Sequence, residues 1–574
     1  MTALLTDNLP LLAGAPNGIK KLRELILELA VRGKLVPQDP NDEPASELLK
    51  RITEEKARLV AEGKIKKAKP TNADLTEISY EIPSTWAVAS LGQVVEIVRG
   101  ITFPASEKSK EPEPGRVACL RTANVQDEIE WDDLLYIRES FVSRHDQYVE
   151  AHDIVMSMAN SRELVGKVAL IGAELKQKTT FGGFLGVLRP VLIEPRFVMA
   201  LLRTPHARNA LIDSASQTTN IANVSLGKLR PLPFAIPPLA EQHRIVAKVD
   251  ELMALCERLE AQQADADSAH AELVQALLNS LTQASDADDL AQSWQRLAEH
   301  FHTLFTTESS IDALKQTLLQ LAVMGKLVPQ DPNDEPASEL LKRITEEKAQ
   351  LVAGGRIKKQ KTLPEIADEE MSFQLPVGWE WVRLNSLLKK IGAGSTPLGG
   401  KQGYVSEGIK FLRSQNVWNE GLRLDDVALI PEATHQKMAG THVEAGDLLF
   451  NITGASIGRC AIVPDDFDTG NVSQHVTIIR PVAGELRHFL HVILTSQLVQ
   501  QTVMDVQVGV SREGLSIGKL SVFVIPCPPE AEQHRIVAKV DQLMTLCDQL
   551  KTRLSETRQL HEQLASTLVE QALA

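Results

Sequence analysis

Apolar residues spaced alternately four and three apart mark the helices of this chain. Ile245, Val249, Leu252, Cys256 and Leu259 follow that spacing, and so do Ile536, Val540, Leu543, Cys547, Leu550 and Leu554, with Leu564 and Leu568 beyond. This is the seam of a coiled coil. Thr557 and His561 interrupt the second seam and are expected to set register. Shorter apolar stripes, Leu22, Ile26, Leu29 and Leu314, Leu318, Leu321, predict helices that end near Gly33 and Gly325. The segment VPQDPNDEP after each glycine reads as a turn, with Pro44 and Pro336 opening a further helix that carries Leu49, Ile52 and Leu59 and ends near Gly63 in the first case.

Between these helical frames the pattern changes. Short strand-like runs fall at 93–98, 167–171, 184–188, 447–450, 460–463 and 475–479, punctuated by glycine and proline, with short helices at 196–202 and 487–494. The inserts, about 79–236 and 372–527, read as mixed α and β.

The chain is a tandem duplication. GKLVPQDPNDEPASELLKRITEEKA stands at 33–57 and again at 325–349; EQHRIVAKVD stands at 241–250 and again at 532–541. The inserts diverge, although fragments align: Pro83 and Trp86 with Pro376 and Trp379, Leu120–Asn124 with 412–416, Asp153 with Asp447, Leu229 with Leu520. Matched frames around different inserts imply one scaffold presenting two different surfaces. A helix of about 35 residues is about 52 Å long, and one turn of B-DNA is about 34–36 Å. Such helices suit two domains held a DNA turn apart, or a plain spacing or dimerising coiled coil.

The net charge of −14 argues against a nucleic-acid binder taken alone. Each insert carries only about −1, so the acidic excess sits on the helical frames, which suits protein docking. Five scattered cysteines without a CxxC pair predict neither disulfides nor zinc, and Cys256 and Cys547 read as small core residues. No apolar run approaches a membrane span and no secretion signal is visible, so a cytoplasmic location is expected. His243 and His534 start matched helices and read as surface groups. The glycine-rich 392–401 misses the phosphate-loop spacing, Ile236–Leu239 lacks the polar and aromatic ends of an NPPY-type motif, and Asp334, Glu346 and Lys348 sit at helix-surface spacing. A catalytic site is therefore not expected.

Taken in order, the P-x-x-W start of each insert, LR-x-x-N, the Gly446-Asp447 pair (His152-Asp153 in copy one), the proline-rich exit into EQHRIVAKVD and the LAVxGKLVPQDPNDEPASELL helix resemble type I restriction–modification specificity subunits over nearly the whole chain. The resemblance implies an α+β architecture: two α/β target-recognition domains separated and flanked by long helices that form an antiparallel coiled coil. The expected segments are a helical region at 1–70, recognition domains at 75–237 and 370–528, a central helical region at 238–365 and a final helix at 529–574. It implies a non-catalytic subunit of a restriction system that binds a split, asymmetric DNA site. Two methyltransferase subunits would dock on it and restriction subunits would join. S-adenosylmethionine, ATP and magnesium would be bound by those partners, with no cofactor in this chain.

Arginine reads guanine and asparagine reads adenine by paired hydrogen bonds. The expected readers are Arg121, Thr122, Asn124, Ser157, Asn160, Ser161 and Arg162 in the first insert, and Arg413, Ser414, Asn416, Asn451, Thr453 and Ser456 in the second. Lys228, Lys519, Ser511 and Arg512 suit phosphates, and the basic tracts 64–69 and 356–361 suit either phosphate or solvent. Two other readings stand beside this one: a self-contained methyltransferase or nuclease, and a coiled-coil scaffold with two ligand- or protein-binding inserts.

Overall fold

The computed structural model describes residues 9–66, 78, 80–161, 164–214, 216–218, 221–397, 399–508 and 514–573. The chain divides into two compact units: residues 1–266 with 557–574, and residues 267–556. The six main frame helices are α1 (Gly18–Val31), α2 (Ala45–Ala61), α3 (Leu239–Gln283), α4 (Glu308–Val323), α5 (Ala337–Ala353) and α6 (Glu530–Leu573).

In the first unit the apolar stripe of α1 (Leu22, Leu25, Ile26, Leu29) shares one core with Ile245, Val249, Leu252 and Cys256 of α3 and with Ala565 and Ala572 near the end of α6. Polar contacts give the directions. Arg23 pairs with Glu260 at 2.9 Å and Asp42 with Arg244 at 2.6 Å, so α1 and the turn beyond it run against α3. Lys21 donates to Ser566 Oγ at 2.8 Å and Lys34 to the carbonyl of Leu573 at 2.9 Å, so α1 runs with α6. The α3 and α6 segments are therefore antiparallel, with α1 packed on both.

The second unit repeats this arrangement. Leu314, Leu318 and Leu321 of α4 share a core with Val274, Leu278 and Leu281 of α3 and with Cys547 of α6. Lys315 pairs with Asp548, and Lys326 donates to the carbonyl of Thr282 at 2.7 Å, as Lys34 does to Leu573. Each unit thus takes its third helix segment from the far half of the other copy's long helix. Leu259, Leu543 and Leu550 are only half-buried, and Leu564, expected in the seam, is 51% exposed. The core of three helix segments faces Ala565 and Ala572 instead. All five cysteines are free and buried, and burial pushes the thiols of Cys119 and Cys527 up to about 12.

The duplicated sequence is explained by the lock between frame and insert. The buried Trp86 indole N–H donates to Glu241 Oε2 at 3.0 Å, and Gln38 donates to Glu241 Oε1 at 3.2 Å. Trp379, Glu532 and Gln330 repeat both bonds at 2.9 and 3.2 Å. Gly33 and Gly325 have φ of +70° and +68°, and a Cβ there would come within 2.6 Å of Pro83 or 2.5 Å of Pro376. The P-x-x-W start therefore needs the glycine and the glutamine of one repeated segment and the glutamate of the other. Each insert is then closed by pairing its first and last strands: Ala87–Ser90 with Pro233–Ile236, and Glu380–Arg383 with Val524–Cys527.

Each insert holds a four-stranded antiparallel sheet, ordered Val95–Arg99, Leu185–Pro190, Ile154–Ser157, Val168–Leu170 in the first and Leu388–Ala393, Val476–Pro481, Leu448–Asn451, Cys460–Ile462 in the second. Beside it, Arg116–Leu120 lies parallel to Thr179–Phe181, as Ile409–Leu412 does to Gly470–Val472. The helices Pro195–Arg203 and Leu486–Thr495 stand where the sequence places them. The strand expected from 93 starts at Val95, because Ser90 and Gln93 cap a helical turn over Leu91–Val94.

Candidate nucleic-acid interface

The LR-x-x-N motif builds the same turn in both inserts. Asn124 Oδ1 accepts the N–H of Arg121 at 2.9 Å, and its amide donates to the carbonyls of Glu130 and Asp133 at 3.0 and 3.1 Å. Asn416 does the same with Arg413 and Arg423, at 2.9 Å each. Both asparagines are buried, at 1% and 2% exposure. Their amides are consumed in closing the turn, so the expectation that they read adenine is corrected: they position the turn.

Arg121 is half-buried and paired with Asp133 at 2.6 Å, which holds that carboxyl below its usual value. Arg413 donates to the carbonyl of Asp426 at 3.0 Å. Ser157 and Asn451 occupy matched places and are buried at 1% and 0% exposure. Asn451 donates to the carbonyl of Ser414 at 2.8 Å and to Ser456 Oγ at 3.2 Å. Burial removes these two from a reading role as well, while the Asn451 amide ties the 413–416 turn to the 452–458 loop. Arg121 Nε with Ser157 Oγ, and Arg413 Nε with Asn451 Oδ1, are buried without a hydrogen-bond partner.

The shared Asp153 and Asp447 are equally structural. Arg189 grips Asp153 with two bonds of 2.8 Å, and Arg480 grips Asp447 at 2.6 and 2.8 Å. Each aspartate follows a residue with positive φ, His152 at 68° and Gly446 at 79°.

The remaining expected readers are accessible to different degrees. Thr122, Ser414, Asn160, Ser161, Thr453 and Ser456 are partly exposed. Lys228 and Lys519 are exposed on the short helices Leu226–Leu229 and Ile517–Ser521. Arg162, Ser511 and Arg512 lie outside the described residues, as do residues 67–69 of the first basic tract. His243 is exposed and lies 3.2 Å from Glu194.

A rim beside Thr453 escaped the sequence reading. Thr396 Oγ1 donates to Gln474 Oε1 at 2.5 Å, Gln474 Nε2 donates to His475 Nε2 at 3.0 Å, and His475 Nδ1 meets Thr453 Oγ1 at 2.5 Å. A neutral imidazole with its proton on Nδ1 satisfies every bond in that series. The backbone beneath recurs in the first insert. Gly394 N bonds Val476 O at 3.0 Å as Gly100 N bonds Leu185 O at 3.2 Å; Ser473 N bonds Leu412 O as Gly182 N bonds Leu120 O, both at 2.9 Å. Thr396, Gln474 and His475 therefore correspond to Thr102, Gly183 and Phe184. A Cβ at Gly100 or Gly394 would meet a facing carbonyl oxygen at 2.1 or 1.9 Å, so this close approach needs glycine in both. Phe184 is 67% exposed beside a cleft of about 280 Å³ lined by Arg99, Met158, Asn223 and Ser225. One insert thus presents an apolar ring where the other presents an amide and an imidazole.

The family model for the type I restriction modification DNA specificity domain matches residues 83–266 and 376–557, which are the two inserts with their exit helices. The chain belongs to that family. The specificity subunit of the type I restriction enzyme EcoAI from Escherichia coli is 39% identical over 97% of this chain and 94% of that protein. The EcoEI specificity subunit, also from Escherichia coli, is 36% identical with the same coverage. A solved chain of a type I restriction–modification system covers 86% of this chain and 99% of its own length, at 19% identity and a TM-score of 0.47. Between the two copies of this chain, the shared motifs are buried in the scaffold and the rim differs. Among the described residues no cluster of three or more histidine, cysteine or acidic side chains could hold a metal, and no helix is long and apolar enough to cross a membrane.

Proposed function

We propose that this chain selects the DNA sequence for a type I restriction–modification enzyme, each insert reading one half of a split, asymmetric site. The observation that carries this is the rim: one backbone, hydrogen bond for hydrogen bond, presenting Thr102, Gly183 and Phe184 in one insert and Thr396, Gln474 and His475 in the other. An exposed aromatic ring suits the methyl edge of thymine, whereas glutamine and histidine suit hydrogen-bonding base edges. Two different readers on one scaffold give two different half-sites. The partly exposed Thr122, Ser414, Asn160, Ser161, Thr453 and Ser456 flank the rim as secondary base contacts, and Arg121, Arg413, Lys228 and Lys519 approach phosphates.

Methylation and cleavage belong to partners in this reading. Two methyltransferase subunits dock on the acidic helices, restriction subunits join them, and S-adenosylmethionine, ATP and magnesium are bound there in the cytoplasm. The relatives' role as specificity subunits supports this division. The test is to exchange residues 372–527 for the equivalent insert of a relative and sequence the methylated bases in cells carrying the partners. One half-site is expected to change; a change in both halves or neither sinks the proposal.

A further inference from the structure

The second insert carries two arginines that the scaffold does not use. Of its six described arginines, Arg383, Arg413, Arg480 and Arg487 all have a carboxylate partner. The other two, Arg423 and Arg459, both lie over the indole of Trp418, with guanidinium carbons 3.5 and 3.7 Å from the ring centroid. Two planar guanidinium groups cannot share one face at that range, so one covers each face. Among the described residues neither guanidinium has a hydrogen bond or an ion pair.

We infer that Arg423, Trp418 and Arg459 form a binding site for the phosphodiester backbone of DNA, next to the rim of the second insert. This inference rests on the DNA-reading proposal above. Stacking on an aromatic face holds a guanidinium flat and strips water from one side. It leaves the in-plane N–H edges free, and those edges are what grip a phosphate bidentately. The indole is itself fixed, since its N–H donates to the carbonyl of Gln415 at 2.8 Å. Arg459 closes the loop that carries Thr453 and Ser456, and Arg423 closes the turn that carries Ser414, as the carbonyl that accepts Asn416. Two cations without counter-charge, preorganised beside the candidate base-reading rim, suit a polyanion that runs past that rim.

The first insert lacks the site. The matched backbone bonds put Gln126, Glu130 and Lys167 in the places of Trp418, Arg423 and Arg459. There Lys167 donates to Gln126 Oε1 at 2.9 Å, and a carboxylate replaces one cation. The second insert therefore contributes phosphate grip that the first does not.

The test uses the full chain co-purified with its methyltransferase partners, binding an arbitrary duplex of about 30 base pairs across a sodium chloride series. Each lost phosphate contact takes about 0.9 from the slope of log affinity against log salt. The double variant R423Q/R459Q is expected to flatten that slope by about 1.8. At about 0.1 M salt it should weaken binding ten- to a hundredfold, equally on the methylated target and on unrelated sequence. The single variants R423Q and R459Q, each expected to take about 0.9, serve if the double variant does not fold. An unchanged slope in a folded variant overturns the site. A loss confined to the target sequence overturns the phosphate assignment, and an equal drop in Lys167→Gln overturns its restriction to the second insert. A wild-type assembly with no salt-dependent duplex binding overturns the DNA-reading proposal itself.

Discussion

Glu241 shows what a duplicated residue does in this protein. It is inaccessible to solvent, yet carries a carboxyl that accepts from Trp86 and Gln38. Burial raises that carboxyl above its ordinary value of 4.5, and the two donors pull it back. A carboxyl raised by folding contributes stability below pH 4.5 that is lost as pH rises through its folded value. Trp86→Phe removes one donor and raises the group further. The variant is expected to lose about 1–3 kcal/mol near neutral pH, the cost of a buried acceptor left without its donor. Its deficit against the native protein should shrink towards pH 4, where the carboxyl is protonated in both. Urea midpoints at pH 4 and pH 7.5 check this; a deficit that does not depend on pH would show that the indole acts only by packing.

At the scale of elements, the end of α6 belongs to the core of the first unit, where Ala565 and Ala572 are buried against α1 and Lys21 reaches Ser566. Removing residues 558–574 is expected to speed amide exchange in Gly18–Val31 at least tenfold, on the order of 1.4 kcal/mol of local stability. Exchange in Glu308–Val323, which packs on Val274, Leu278 and Leu281, should keep its native rate. Equal loosening of both helices would contradict the division into units. The sequence made these helices legible because a helix seam repeats within a few residues. It also located six of the eight strands of the two four-stranded sheets, including those at 168–170, 448–451 and 460–462, because alternation and punctuation are local. It misjudged Asn124, Asn416, Ser157 and Asn451 for the complementary reason. Similarity between two copies whose surfaces diverge marks what folds, and these side chains are buried in their own turns. The rim was not legible, since Thr396 and Gln474 are 78 residues apart and meet only through sheet pairing.

For the whole molecule, recognition lives either in a few rim positions or across the surface of each insert. The matched backbones allow a minimal exchange that gives one insert the character of the other. Phe184→His is the conservative form, because Phe184 is 67% exposed and its replacement leaves the core untouched. Adding Gly183→Gln is more demanding: a Cβ there would sit 3.1 Å from Thr102 Oγ1 and 3.3 Å from the Ile101 carbonyl, so the threonine must give way. A base contact of this kind discriminates by about 1–3 kcal/mol, roughly five- to 150-fold. Phe184→His is therefore expected to relax or change one base position in the half-site read by the first insert. It should leave the half-site of the second insert and the spacing between them unaltered. Sequencing of methylated bases in cells carrying the variant and its partners reads all three at once. If the first half-site is unaltered while the variant folds and methylates, recognition does not pass through the rim and must be sought in the flanking 122 and 160–161 positions. If the second half-site moves as well, the two inserts are not independent readers, and the duplication must serve assembly rather than the reading of a split sequence.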